Sequence, residues 1–180
     1  MVETRSGVER ASVSTPAIVI GLGNEHRGDD ASGLLVARLL RPRLAGVGSV
    51  AEGGGDSTEL LDLWEGWGLA VVVDAVRGGG APGSVHRLVV GRDPLPPFLP
   101  VLTSNHGISL GHAIALAQTL HRMPKCLVIY GIEGVTFDPG APLSPAVAEA
   151  LRPVASAIED EVRKHSSSYD PTHVPGERNA

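Results

Sequence analysis

Asp74, one of the adjacent acids Asp29 and Asp30, and a histidine, His106 or His26, are the residues of this 180-residue chain whose types and places could do chemistry together. Asp74 directly follows the apolar run Ala70 to Val73. A carboxylate there sits at the edge of a buried strand, partly desolvated, and an unpaired buried charge is costly enough to require a partner. That partner is either something functional or a plain one, a loop backbone or an arginine such as Arg77. Asp29 and Asp30 stand between the first strand and the first helix. One acid can accept the free N–H groups of the helix start, and that structural role falls to Asp29, leaving Asp30 able to project elsewhere. His106 lies in TSNHG, next to Gly107, where loop becomes helix. A lone histidine there is ordinarily a surface or capping residue, but the same sheet edge already gathers two acids. His26, four residues before Asp30, is its rival. His86 and His121 read as structural and His112 as solvated.

Two carboxylates and an imidazole support two kinds of work. The first is an Asp–His pair with a nucleophile, but Thr103, Ser104 and Ser109 stand on no G-x-S-x-G elbow and Cys126 lies inside a strand. The second is a divalent metal site. Oxygen and nitrogen donors suit zinc, nickel, manganese or iron, and three protein ligands leave a position open, as in catalytic sites. Lacking a thiolate, such a site binds with modest affinity. The stretch IGLGNEH starts like a dinucleotide fingerprint, but the last position is His26 where the pattern needs glycine, and acids at 29 and 30 repel a pyrophosphate. A nucleotide cofactor is therefore discounted.

The elements that must position these residues can be read from periodicity. AIVIG (17–21) and LAVVVDAV (69–76) are short apolar runs typical of strands buried on both faces. GVGSVAE ending at Glu52, SVHRLVVG (84–91) and KCLVIYGIEG (125–134) complete five strands. The turn between the third and fourth strands holds no helix, which predicts that this pair is antiparallel. Helices are expected over ASGLLVARLLR, stopped by Pro42, then from Asp56, whose spacing to Glu59 is a capping box, then around Leu110, Ala113, Ile114, Ala117 and Leu120, and from about Pro145 to Lys164. Alternating strands and helices argue a single three-layer α/β domain: a twisted five-stranded, mostly parallel sheet with helices on both faces. The domain is expected over 17–164, with a disordered extension at 1–16 and a disordered polar tail at 165–180. In open sheets of this kind ligands bind beyond the carboxyl ends of the strands. Gly21, Gly23, Asn24, Glu25, His26, Asp29, Asp30, Asp74, Ser104, Asn105, His106 and Glu133 fall there.

Composition bounds the partners. The net charge is −5, and no basic patch favours nucleic acid or an anionic membrane. One cysteine excludes an internal disulfide and a cysteine-rich zinc site and fits a reducing compartment. The first sixteen residues show no apolar leader, and no apolar run approaches the roughly 18 residues of a membrane span. A cytoplasmic protein is expected.

Five blocks, in order, resemble the hydrogenase maturation endopeptidases. IVIGLGN with DDASG resembles the family's opening signature, EGGGDSTELL its glycine turn and following helix, VVVDAV its third strand, SNHGISL its histidine segment and YGIE its last strand. The resemblance runs from about Ile18 to Lys164. It implies a phosphorylase/hydrolase-like fold and an endopeptidase that removes the C-terminal extension of a nickel–iron hydrogenase large-subunit precursor. By position it places the metal contacts on Asp30, Asp74 and His106, and it settles Asp30 over Asp29 and His106 over His26. The ion implied is nickel borne by the substrate, for which zinc or cadmium can substitute. The protein itself is expected as a monomer or weak dimer. Ala31 and Ser32 ahead of Gly33, Glu52 where many members have Asp, and the polar pair Glu25–His26 depart from the family pattern and concern the hydrogenase subtype. A rival from another class is a nickel-sensing chaperone or binding module that does not cut.

Overall fold

A computed structural model of the chain describes residues 17–93 and 110–167. The strands are β1 (Ala17–Leu22), β2 (Ser49–Gly53), β3 (Leu69–Val76), β4 (Val85–Val89) and β5 (Cys126–Glu133); the helices are α1 (Ser32–Leu40), α2 (Ser57–Trp64), α3 (Leu110–Thr119) and α4 (Pro145–Ser167). They form one sheet in the order β2-β1-β3-β5-β4, parallel except for β4.

Alternation along the buried strands divides the core in two. Ile18 and Ile20 of β1, Val72 of β3 and Ile129 of β5 face Leu60, Leu61 and Trp64 of α2 and Leu110 and Ile114 of α3. Val19, Val71, Val73 and Val128 face Val36 and Leu40 of α1 and Val154 and Ile158 of α4. Successive strand residues point to opposite faces, so both layers are built from one set of β-branched runs. Asp56 caps α2 as its sequence signature predicts, accepting from the N–H groups of Thr58 at 2.8 Å and Glu59 at 3.2 Å.

Three expectations are corrected. The antiparallel strand β4 pairs with β5, not with β3. The eight-residue β5 is buried along nearly its whole length and takes the free side of β3, while the short β4 is half exposed and suits the sheet edge. Leu120 is 49% exposed instead of buried, because α3 ends at Thr119 and the chain turns away through His121 at φ 55°. Helix α4 continues to Ser167, past the expected end at Lys164, with Lys164 and His165 in the last turn where cations complement the helix dipole. The expected disorder at 1–16, and that of the tail from 168 on, lies outside the described residues.

The chain leaves β1 for β2 on one side and returns through α2 to β3 on the other. The crevice of such sheets opens where the connections diverge, here between the carboxyl ends of β1 and β3. Two glycines bring α1 tight against that point. A Cβ on Gly33 would lie 2.3 Å from the carbonyl oxygens of both Leu22 and Val73, and one on Gly21 would lie 2.2 Å from the Gly33 oxygen.

Gly33→Ala should therefore push α1 off the sheet and lower stability by about 3 kcal/mol. Gly54→Ala, whose added carbon meets open space, should stay within about 0.5 kcal/mol of wild type. Urea unfolding midpoints of the two variants check the contrast.

Candidate active site

The β1–α1 loop turns at Gly23, whose φ of 133° no side chain tolerates well and whose Cβ would meet the Asp30 oxygen at 1.8 Å. Asn24 folds the loop on itself, its N–H donating to the Asp30 carbonyl at 3.3 Å and its Oδ1 accepting from the His26 N–H at 2.9 Å. A short 3₁₀ turn, Gly28–Ala31, then carries both acids into α1.

The two acids part company on that turn. Asp29 is fully buried. Its carboxylate accepts from the backbone N–H groups of Val135 (2.7 Å), Thr136 (3.0 Å) and Ser144 (2.7 Å), and its own N–H donates to the Thr136 carbonyl at 2.8 Å. Burial raises its pKa, but these three donors outweigh it and hold the carboxyl below its ordinary value. Asp29 is structural as expected, though not as a cap: α1 has Ala31 at its N-cap and no side-chain cap bond. The 3₁₀ turn sets Asp29 a turn ahead of the helix, where it clamps the β1–α1 loop to the β5–α4 loop.

Asp30 points the other way. It lines a cavity of about 230 Å³ with Asp74, Arg27, Arg77 and Phe137, closed at the side by Gly23, Gly54 and Gly55. Asp74 pairs in register with Gly131, while the β1 ladder stops one residue earlier, at Gly21 opposite Val73. Among the described residues the Asp74 carboxylate accepts from the Ala75 N–H alone, at 2.8 Å. Among the described residues no ion pair reaches either Asp30 or Asp74. Burial, reinforced by the neighbouring Asp30 charge, pushes Asp74 up to about 7. Burial also raises Asp30, against the pull of Arg27 and Arg77. Asp74 thus holds a desolvated carboxyl beside a second acid, with the guanidiniums of Arg27 and Arg77 lining the same cavity.

The structure brings Asp30 and Asp74 together, and His106 lies outside the described residues, as do Thr103, Ser104, Asn105 and Ser109. Among the described residues no group of three or more His, Cys, Asp or Glu side chains could hold a metal. His26 does not join the pocket: its side chain is 83% exposed. Glu25 and Glu52 are taken by arginines, since Arg38 Nη2 reaches Glu25 at 3.1 Å and Glu52 at 2.9 Å, and Arg41 reaches Glu52 at 2.8 Å. They tie the loop, α1 and β2 together outside the pocket. Glu133 is 2% exposed and binds the Gly78 N–H at 2.9 Å and His86 Nε2 at 2.8 Å, so it and His86 hold the loop after β3. Phe137 carries no signal in the sequence, because it sits in an aperiodic loop. Arg27 and Arg77 carried a signal only in standing within three residues of the two acids.

The family model for hydrogenase maturation protease matches residues 35–161. The hydrogenase expression/formation protein HupD of Thiocapsa roseopersicina is 29% identical over 170 residues, covering 88% of this chain and 76% of that protein. Among solved structures, the hydrogenase maturating endopeptidase HybD of Escherichia coli superposes with a TM-score of 0.63 at 22% identity, covering 82% of this chain and 92% of that one. The [NiFe] hydrogenase maturation protease HycI of Thermococcus kodakarensis gives 0.59 at 24% identity, covering 85% and 95%. These two likenesses are of fold.

The Asp74 carboxyl makes stability depend on pH. Its folded pKa of about 7 lies above the unfolded value. Its contribution is therefore fully present below about pH 4 and is lost as pH rises through 7. Asp74→Asn removes the charge, so it should melt higher than wild type by on the order of 5 °C at pH 8. That gap should close toward pH 4, as scanning calorimetry at the two pH values would measure.

Proposed function

The chain belongs to the hydrogenase maturation protease family, and from that premise we propose that it removes the C-terminal extension of a nickel–iron hydrogenase large-subunit precursor once nickel is in place. In this reading it works in the cytoplasm and recognises the nickel that the precursor carries. The supporting observation is the acid pair Asp30–Asp74, half-buried in a cavity at the sheet's switch point and, among the described residues, without an ion pair.

Two carboxylate oxygens and the imidazole of His106 form a donor set that suits a divalent nickel ion. Zinc or cadmium can take the same place. Three protein donors without a thiolate leave coordination positions to the substrate and bind weakly enough to release the ion with the product. That is the behaviour of a protein that inspects a metal and does not keep it. The described residues lining the cavity include no Ser, Thr or Cys; in this reading the bound ion polarises the scissile carbonyl or activates a water molecule. The same lack of a nucleophile favours the second reading, a nickel-sensing chaperone that docks without cutting. Among the described residues no helix is long and apolar enough to cross a membrane.

Binding requires deprotonated ligands, so affinity for the ion should fall as pH drops below about 7, where Asp74 takes up a proton. Mixing the protein with nickel-loaded precursor should shorten the large subunit at its C-terminus, read by intact mass, while metal-free precursor stays whole. Asp30→Asn and His106→Ala should each abolish the cut with melting temperatures preserved. Cleavage surviving both substitutions sinks the site assignment, and stable binding of wild type with an unchanged precursor mass supports the chaperone.

A further inference from the structure

The acids are only half of the pocket's charge. Arg27 and Arg77 line the same cavity, and among the described residues neither has an ion-pair partner. Both are held in place through Phe137. The Arg77 guanidinium lies over the Phe137 ring, 4.2 Å from its centroid, and Arg27 Nε donates to the Phe137 carbonyl at 3.2 Å. Stacking uses the face of a guanidinium and leaves its in-plane N–H donors unspent. The backbone behind Arg77 is fixed as well: the next residue, Gly78, donates to the buried Glu133 carboxylate at 2.9 Å. A side chain anchored at both ends in this way is a preorganised cation.

Counting charge shows what that cation is for. With both acids ionised, two carboxylates and two guanidiniums balance. A substrate-borne divalent ion seated on the acids matches their charge, and the two guanidiniums are then surplus. In that reading the cavity would turn positive when the precursor docks, which is when peptide hydrolysis develops negative charge. Preorganised donors aimed at developing charge are among the largest contributors to such reactions.

We infer that Arg77, with Arg27 beside it, holds the carbonyl oxygen of the scissile peptide bond and stabilises the oxyanion that forms there. This rests on the endopeptidase reading given above. In the step, water oxygen bonds to the carbonyl carbon, and the C=O π pair moves onto the carbonyl oxygen, where the guanidinium N–H groups receive it. The pair then returns and the C–N bond breaks. Both water protons end on the leaving amine, so the products are a carboxylate and an ammonium. Arg77 gains and loses no proton. Its exposed position on the loop after β3 lets it be replaced without disturbing the core.

The test is cleavage kinetics on nickel-loaded precursor with wild type, Arg77→Met, Arg77→Lys and Arg77→Gly. Alongside it runs a binding titration of the same precursor at low temperature. Arg77→Met should lower kcat about 10²- to 10³-fold with KM and binding affinity within about threefold of wild type. Arg77→Lys should recover part of the loss, and added guanidinium should restore Arg77→Gly. A kcat for Arg77→Met within twofold of wild type overturns the assignment, as does a loss of binding affinity with kcat unchanged. If wild type itself leaves the precursor whole, the endopeptidase reading falls and takes this assignment with it. A wild type that cuts beside an equally active Arg77→Met removes the arginine alone.

Discussion

The clamp between the buried Asp29 carboxylate and the backbone of the β5–α4 loop is the interaction on which the site depends. Three N–H groups converge on one carboxylate. Charge-assisted bonds of this kind are strong, and a buried carboxylate left without them would be very costly. The clamp therefore fixes the β1–α1 loop against the loop that carries Phe137. Asp30, the next residue, is thereby turned toward β3. The same contact sets Arg27 under the Phe137 carbonyl. One ionised group with no part in the chemistry thus decides where three groups of the pocket stand.

The pocket is assembled at a cost in stability. Asp74 extends from a strand whose other residues are core, into the cavity beyond the end of the β1 ladder. Its charge is disfavoured by burial and by Asp30. Nothing in the fold requires an acid at that position, and an amide would fit the same space. Stability given up locally is common where a site must meet a charged ligand. The two arginines pull on Asp30 through space, and among the described residues neither pairs with it.

Much of this was legible in the sequence. The β-branched runs of β1, β3 and β5 bury on both faces and have no alternative role, so strand positions and the parallel class followed from pattern alone. Asp74 stood out because a carboxylate interrupts a core strand. What was not legible depended on long-range geometry. The pairing of β4 with β5 is a competition between edges that local spacing does not encode. The role of Asp29 hinges on a 3₁₀ turn that moves it off the helix cap, and on partners more than a hundred residues away. Phe137 belongs to an irregular loop, and its importance appears only once Arg27 and Arg77 are seen to rest on it. The choice of Asp30 over Asp29 came first from family resemblance, and the geometry supplies an independent reason, since Asp29 is already fully occupied.

Under the proposed function, the α/β frame offers two carboxylates beside two anchored guanidiniums, and the donor set is completed by His106 and the substrate. The central claim is that Asp30 and Asp74 touch nickel carried by another protein. Nickel K-edge absorption of loaded precursor, alone and freeze-trapped with the protein before cleavage, addresses that contact directly. The account predicts added oxygen and nitrogen scatterers at nickel in the trapped complex, absent when Asp74 is replaced by Asn. An identical nickel spectrum with and without the wild-type protein, in a sample where the two are shown to be bound, would contradict it.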